Sequence, residues 1–177
     1  PVVIETDNTH LYGAGPGATY IINTSLTGHA VKFYPNDTTG VGVFLNNCSI
    51  SNMLIYSAAN KTAGAGVYAL QCNGFRMDNV QIQNHPEGLV VSGGQLNIFN
   101  KVTVFASSSI LTGTPVANSQ AMRFTEAPID GGLYQPCFTC QVTNSIIATS
   151  RCLDKGVRIE SADGLAFMGG YWSGAYS

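Results

Sequence analysis

Apolar and polar residues alternate along this chain in short runs, and the spacing of an amphipathic helix appears nowhere. The runs resemble one another. GVFLNNC (42–48), GVYALQC (66–72), GLVVSGG (88–94) and GVRIESA (156–162) each place a Gly before an alternating strand, and AMRFTEA (121–127) fits with Ala in place of Gly. A second landmark lies further along each unit. Asn52, Asn79, Asn100 and Asn144 follow an apolar residue two places earlier (Ile50, Met77, Ile98 and Val142), and Gly169 follows Phe167 in the same way. The intervals are 27, 21, 44 and 25 residues, a period in the low-to-mid twenties with one long unit that is expected to carry two long loops, roughly 106–119 and 126–136. Asn and Gly enter left-handed backbone most easily. A sharp bend is therefore predicted at each landmark, with the Asn side chains stacked in an amide ladder.

A typical unit holds three short strands, at 66–70, 75–77 and 80–83. Three strands per repeat without a helix predict an all-β chain: a right-handed, single-stranded parallel β-helix, or solenoid of three-strand coils. One domain is expected over 1–177. The chain begins with Pro1 rather than Met, so it is read as a piece of a longer protein whose coils continue beyond both ends.

Coils stack about 4.8 Å apart, so residues in register form ladders. Alternation assigns them to faces. Val43, Leu45, Val67, Ala69, Leu89, Val91, Met122, Phe124, Val157 and Ile159 are expected inside. Phe44, Tyr68, Val90, Arg123 and Arg158 are expected in one outward ladder, and Asn46, Leu70, Ser92, Thr125 and Glu160 in a second. Leu54 and Tyr56 also point outward.

Composition agrees with a strand-built chain. Only 10% of residues are charged, 45% are hydrophobic, and Gly is abundant at 20. With a formal net charge of −2, neither nucleic acid nor a membrane is an expected partner, and no apolar run reaches a membrane-spanning length. GAGPGA (13–18) lacks the helix that a nucleotide loop would need, and no cofactor or metal is expected.

Five cysteines cannot all pair within the chain. Cys137 and Cys140 form a CxxC, but residues three apart on a strand point to opposite faces, and no second CxxC or nearby His completes a metal set. Buried free thiols are predicted, with Cys48 and Cys72 stacked on neighbouring coils because each lies six residues after its Gly.

HLYGAGPGATYIINTS (10–25) resembles the early coils of the pectate-lyase-like superfamily of right-handed parallel β-helices, and the later Gly-led and Asn-bend units extend the resemblance over nearly the whole chain. Many phage tailspikes and tail-fibre depolymerases belong to that group. The resemblance implies a homotrimer on a virion tail that recognises a host polysaccharide outside the cell. The polygalacturonases of the same fold carry four motifs. Arg158-Ile159 resembles the last of them, with Glu160 where Lys would stand. The other three are missing, as is the acidic calcium cluster of pectate lyases.

The outward ladders suggest where chemistry sits. Arg123 and Arg158, with Tyr68 and Phe44, offer guanidinium forks for acidic sugars and rings for sugar faces. The same stripe is equally suited to an interface between chains. Glu126, Asp130 and Glu160 are the candidate catalytic carboxylates. Glycoside hydrolysis needs a pair about 5–5.5 Å apart for retention or about 6.5–9.5 Å for inversion. A second candidate group is Asp78, His85 and Glu87, although Asp78 and Glu87 should lie on different faces. His10, His29 and His85 are each read as structural. The function expected first is binding of a bacterial surface polysaccharide, with depolymerisation as a further step. The alternatives are a secreted pectinase-like hydrolase or lyase and a non-enzymatic structural or adhesive β-helix.

Overall fold

A computed structural model describes residues 1–36, 43–105, 116–129, 133–148 and 153–173. Among them there is no helix, only strands, turns and bends. Two parallel sheets take most of the strands. The first has six, in chain order: Val2–Ile4, Val31–Phe33, Ala65–Leu70, Glu87–Ser92, Val116–Thr125 and Leu153–Ile159. The second has nine. Its main path runs His10–Tyr12, Ser49–Ser57, Arg76–Gln83, Ile98–Phe105, Gln141–Thr143 and Ala166–Met168, again in chain order. The chain visits the sheets alternately, and each strand between the ends of a path pairs with the strands one repeat earlier and one repeat later. Among the described residues the crossovers are made by strands of the other sheet and not by helices.

Strand alternation delivers the apolar residues to one side of each sheet. Val31, Val67, Leu89 and Met122 form one inner ladder, and Phe33, Ala69, Val91 and Phe124 another, all fully buried. The second sheet contributes Ile50, Met77, Phe99 and Val142, and Ile55, Ile82, Val104 and Ile147. A file of aromatic rings links the sheets, with one Phe from each successive repeat: Phe33, Phe75, Phe99, Phe124 and Phe167. Neighbouring centroids are 4.6, 6.1, 6.1 and 6.2 Å apart, and the rings are tilted or edge-on. Each such pair contributes about 0.5–1.5 kcal/mol beyond the area it buries.

The register departs from the sequence reading in two places. The partner of Val67–Ala69 is Val31–Phe33, not 43–45. Val31 and Phe33 fill the core with Lys32 outward, whereas Leu45 stacks on Cys72, three residues further along than the Gly-led alignment requires. Cys48 and Cys72 therefore do not share a rung, and Phe44 leaves the outward ladder, with Lys32 in its place. The second departure is at Asn100. Phe99, rather than Ile98, stacks on Met77 and Val142, so the bend falls one residue later, on Lys101. Lys101 has φ 51°, beside 54°, 52°, 49° and 66° at Asn52, Asn79, Asn144 and Gly169. Keeping a Phe in the aromatic file outweighs the roughly 1–2 kcal/mol that left-handed backbone costs a side chain with a Cβ. The amide ladder survives in altered form. Asn79 donates to Asn52 at 2.8 Å, and the displaced Asn100 still accepts from Asn144 at 3.2 Å and from Thr143 at 2.9 Å.

A second left-handed bend recurs at Asn47, Gly74, Leu96, Thr139 and Gly164. The main-chain N–H of each of the first four donates to the following repeat. This bend also corrects the CxxC reading. Thr139 turns the chain between Cys137 and Cys140, so both side chains enter the core rather than opposite faces. The four described cysteines are free and buried. The Cys137 thiol is pushed up by its hydrogen bond to Cys140 and by burial. Cys152 lies outside the described residues. The segment 126–136, read as a loop, contains an antiparallel pair of strands, Ala127–Ile129 with Leu133–Gln135. The other expected loop, 106–119, is described only from residue 116, which opens a strand.

Two substitutions test the register in opposite directions. Phe99→Ala breaks the aromatic file and is expected to cost about 3–5 kcal/mol in urea unfolding. Lys101→Gly relieves the left-handed position and is expected to add about 0.5–1 kcal/mol. A loss on Lys101→Gly would place the bend elsewhere.

Candidate functional site

The outward ladder of the six-stranded sheet runs Val3, Lys32, Tyr68, Val90, Arg123 and Arg158. Arg123 and Arg158 sit side by side on adjacent strands, about 4.8 Å apart at the backbone. Two cations so close repel each other unless an anion lies between them. Glu160 is that anion. Its Oε2 accepts from Arg123 Nε and Nη2, each at 2.9 Å, and its Oε1 pairs with Arg158 Nη2 at 2.6 Å. On the other side Arg123 Nη1 meets Glu87 Oε1 at 3.3 Å, and Glu87 also accepts from the buried amide of Gln120. The charges thus alternate in a row: Glu87, Arg123, Glu160, Arg158. All four side chains keep part of their surface in water, so the row is worth little as a stabiliser.

The protonation states follow from this geometry. Burial alone would raise the Glu160 carboxyl, but the Thr125 hydroxyl and the Arg123 and Arg158 guanidinium groups together hold it below the usual carboxylate range. A carboxyl held down in this way carries no proton for a general acid to give at neutral pH. Arg123 loses some basicity to burial, and Glu160 and Glu87 more than restore it, so it stays a cation.

Rings occupy the other half of the stripe. His29 stacks on Tyr68 with centroids 4.6 Å apart and planes 15° from parallel. The Ala65 N–H donates to His29 Nδ1 at 3.0 Å, which puts any proton of the neutral ring on Nε2. Burial lowers the His29 pKa and raises that of Tyr68. Lys32 Nζ lies 3.5 Å from the Tyr34 ring centroid. Beneath this layer Val90 is only 2% exposed although its side chain points outward.

The Ala127–Ile129 and Leu133–Gln135 strands border the stripe. The Pro128 carbonyl accepts from Gln71 Nε2 at 3.2 Å, and the Glu126 carbonyl accepts from the Ser92 hydroxyl at 2.9 Å. Leu133 and Tyr134 are exposed there. Glu126 is exposed and sits one position beyond the Thr125 rung, so it is not in register with Glu160. Asp130 lies outside the described residues, and Phe44 is half-buried away from the stripe. The carboxylate facing Glu160 across Arg123 is instead Glu87. The second candidate group does not assemble. Asp78 lies on the other sheet and accepts from Asn100 at 2.5 Å. His85 is 1% exposed with neither ring nitrogen partnered, and burial holds its pKa down to about 3.

Sequence reasoning grouped Glu87 with Asp78 and His85 instead of with Arg123, read His29 as structural, and missed Tyr134. Glu87 sits at a strand start, where alternation says least about direction. His29 belongs to the turn before Val31–Phe33, a strand assigned to another segment. Tyr134 was hidden in an apparent loop.

No family model, no curated protein and no solved structure matches this chain.

The lowered Glu160 pKa has a fixed sign of linkage. Its contribution to stability is present above the unfolded-state value of roughly 4.3 and is lost as pH falls through the folded value. The stability difference between the native chain and Glu160→Gln should therefore be constant near neutrality and shrink below about pH 4.3. Chemical denaturation across pH 2.5–7 reads this, and a gap that widens in acid would contradict the charge row.

Proposed function

We propose that the chain is part of a right-handed parallel β-helix, of the pectate-lyase-like, tailspike kind, whose outer stripe binds an acidic polysaccharide. Supporting the helix is the order of the two parallel sheets: every strand is stacked on its counterpart one repeat away, and the crossovers are themselves strands. The observation that carries the binding reading is the bridge of Glu160 between Arg123 and Arg158. A carboxylate already occupies the space between two guanidinium groups, and the carboxylate of an acidic sugar fits the same donors. Glu160 acts as an internal stand-in that the ligand displaces. Tyr68 with His29, and Lys32 with Tyr34, supply ring faces and a further cation along the same ladder, where neutral sugar rings would lie.

On this reading the protein works outside the cell, on a virion tail, as a homotrimer that recognises a bacterial surface polysaccharide. Binding comes first. Cleavage, by hydrolysis or elimination, would fall to the carboxylates on or beside the stripe: Glu160, Glu87, Glu126 and Asp130.

A second reading has an observation in its favour. Exposed Leu133 and Tyr134 suit a face covered by another copy of the chain.

Arg158→Ala should weaken binding of a uronic-acid polysaccharide by about 1.5–3 kcal/mol, the range for a hydrogen bond to a charged group, with little change in thermal stability. Glu160→Gln should leave binding largely intact and, if Glu160 takes part in bond cleavage, abolish release of reducing ends. Titration calorimetry and a reducing-end assay on purified capsule check both. Unchanged binding in Arg123→Ala and Arg158→Ala, with a dissociated oligomer, would assign the stripe to a subunit interface.

A further inference from the structure

The outer face of the nine-stranded sheet carries another cluster, independent of the polysaccharide stripe. His10, Ser49 and Arg76 are in register on three adjacent strands. His10 Nδ1 and Ser49 Oγ are hydrogen-bonded at 2.7 Å. The three side chains line a recess of about 360 Å³ with Asn47, Cys48 and Gly74. Gly74 keeps it open. Its φ is 66°, and a Cβ there would lie 3.0 Å from Asn47 Oδ1. Cys48 forms a buried wall, its thiol turned to the carbonyls of Thr6 and Asn46 and pushed up by burial, so it stays uncharged.

The polar groups lining the recess include a guanidinium, an imidazole and a hydroxyl, and no lining residue is acidic. The neighbouring acids are engaged elsewhere. Asp7 accepts from the Asn46 main-chain N–H at 2.8 Å and from its side-chain amide at 3.1 Å, and Asp78 accepts from Asn100. Among the described residues Arg76 takes part in none of the ion pairs, and it is exposed. Beside a hydroxyl and an imidazole, the exposed Arg76 guanidinium takes part in no ion pair among the described residues and lines a concave site that has no acidic wall.

We propose that this recess binds the carboxylate of a small organic acid. The Arg76 fork takes both oxygens. When His10 Nδ1–H donates to Ser49 Oγ, the Ser49 O–H is released to donate to the ligand, so the His–Ser pair acts as a relay of donors. The site lies on a different sheet from Arg123 and Arg158, and it stands or falls separately from the stripe.

The test is an NMR titration of the whole chain with sodium acetate against sodium chloride at equal ionic strength, following the Arg76 Nε–H and the His10 ring. Acetate should shift both signals saturably while chloride does not. Arg76→Gln should weaken binding at least fivefold with its amide spectrum otherwise unchanged, and Arg158→Ala should leave it within twofold. Equal shifts with chloride, a loss smaller than fivefold in Arg76→Gln, or equal dependence on Arg158 would each overturn the assignment.

Discussion

The main-chain hydrogen bonds that join each strand to its counterpart one repeat away are the constraint on which everything else rests. A parallel ladder sets adjacent strands at a fixed spacing of about 4.8 Å and leaves no freedom to slip, because a shift of one residue would exchange the inner and outer faces. The inner ladders through Val67, Leu89 and Met122 and through Ala69, Val91 and Phe124 can be continuous only in this register, and so can the aromatic file. The same register brings Arg123 and Arg158 together on the outside. Core and candidate site are two faces of one set of pairings.

Keeping that register over repeats of unequal length puts the burden on the corners. The repeats differ widely in the number of residues between equivalent rungs, yet two left-handed bends recur in each, one after the Ile50–Met77–Phe99 rung and one before it. Asn and Gly suit these corners, but Lys101, Leu96 and Thr139 also adopt left-handed backbone. Those three bear a local cost so that a core residue keeps its place. Extra length is placed partly outside the rungs, as in the strand pair Ala127–Ile129 and Leu133–Gln135, and partly within a strand, where the pairing of Val116–Thr125 with Leu153–Ile159 shifts between Val116 and Gln120.

How much of this was legible in the sequence follows from the same physics. The all-β class, the inner faces of three of the six strands and the outward ladder from Tyr68 to Arg158 were readable, because alternation and a leading Gly or Ala mark them directly, whereas Ile159 of the last strand, expected inside, is exposed. The strand Val31–Phe33 was not, although Ala30 leads it as Ala121 leads Met122, because the GVF of 42–44 imitates the pattern better. Asn100 misled for a related reason: either Ile98 or Phe99 could fill the rung, and only packing against Phe75 and Phe124 decides for Phe99. The second bend was invisible, since Leu96 and Thr139 carry no compositional mark. At the site, the Arg123–Glu160–Arg158 contact followed from register alone. Glu87 and His29 did not, because residues in turns and at strand starts obey no alternation.

The charge row combines rigidity with exchangeability. The backbone fixes where the two guanidinium groups stand, whereas the anion between them is a flexible, partly solvated side chain that another carboxylate can replace at little cost. The most direct measurement of that exchange is a crystal structure of the chain soaked with a uronic-acid oligosaccharide. The expected result is a sugar carboxylate between the Arg123 and Arg158 guanidinium groups, with Glu160 swung away and a neighbouring sugar ring over Tyr68. Glu160 unmoved between the two arginines, with the sugar elsewhere or with another copy of the chain packed over the stripe, would contradict it.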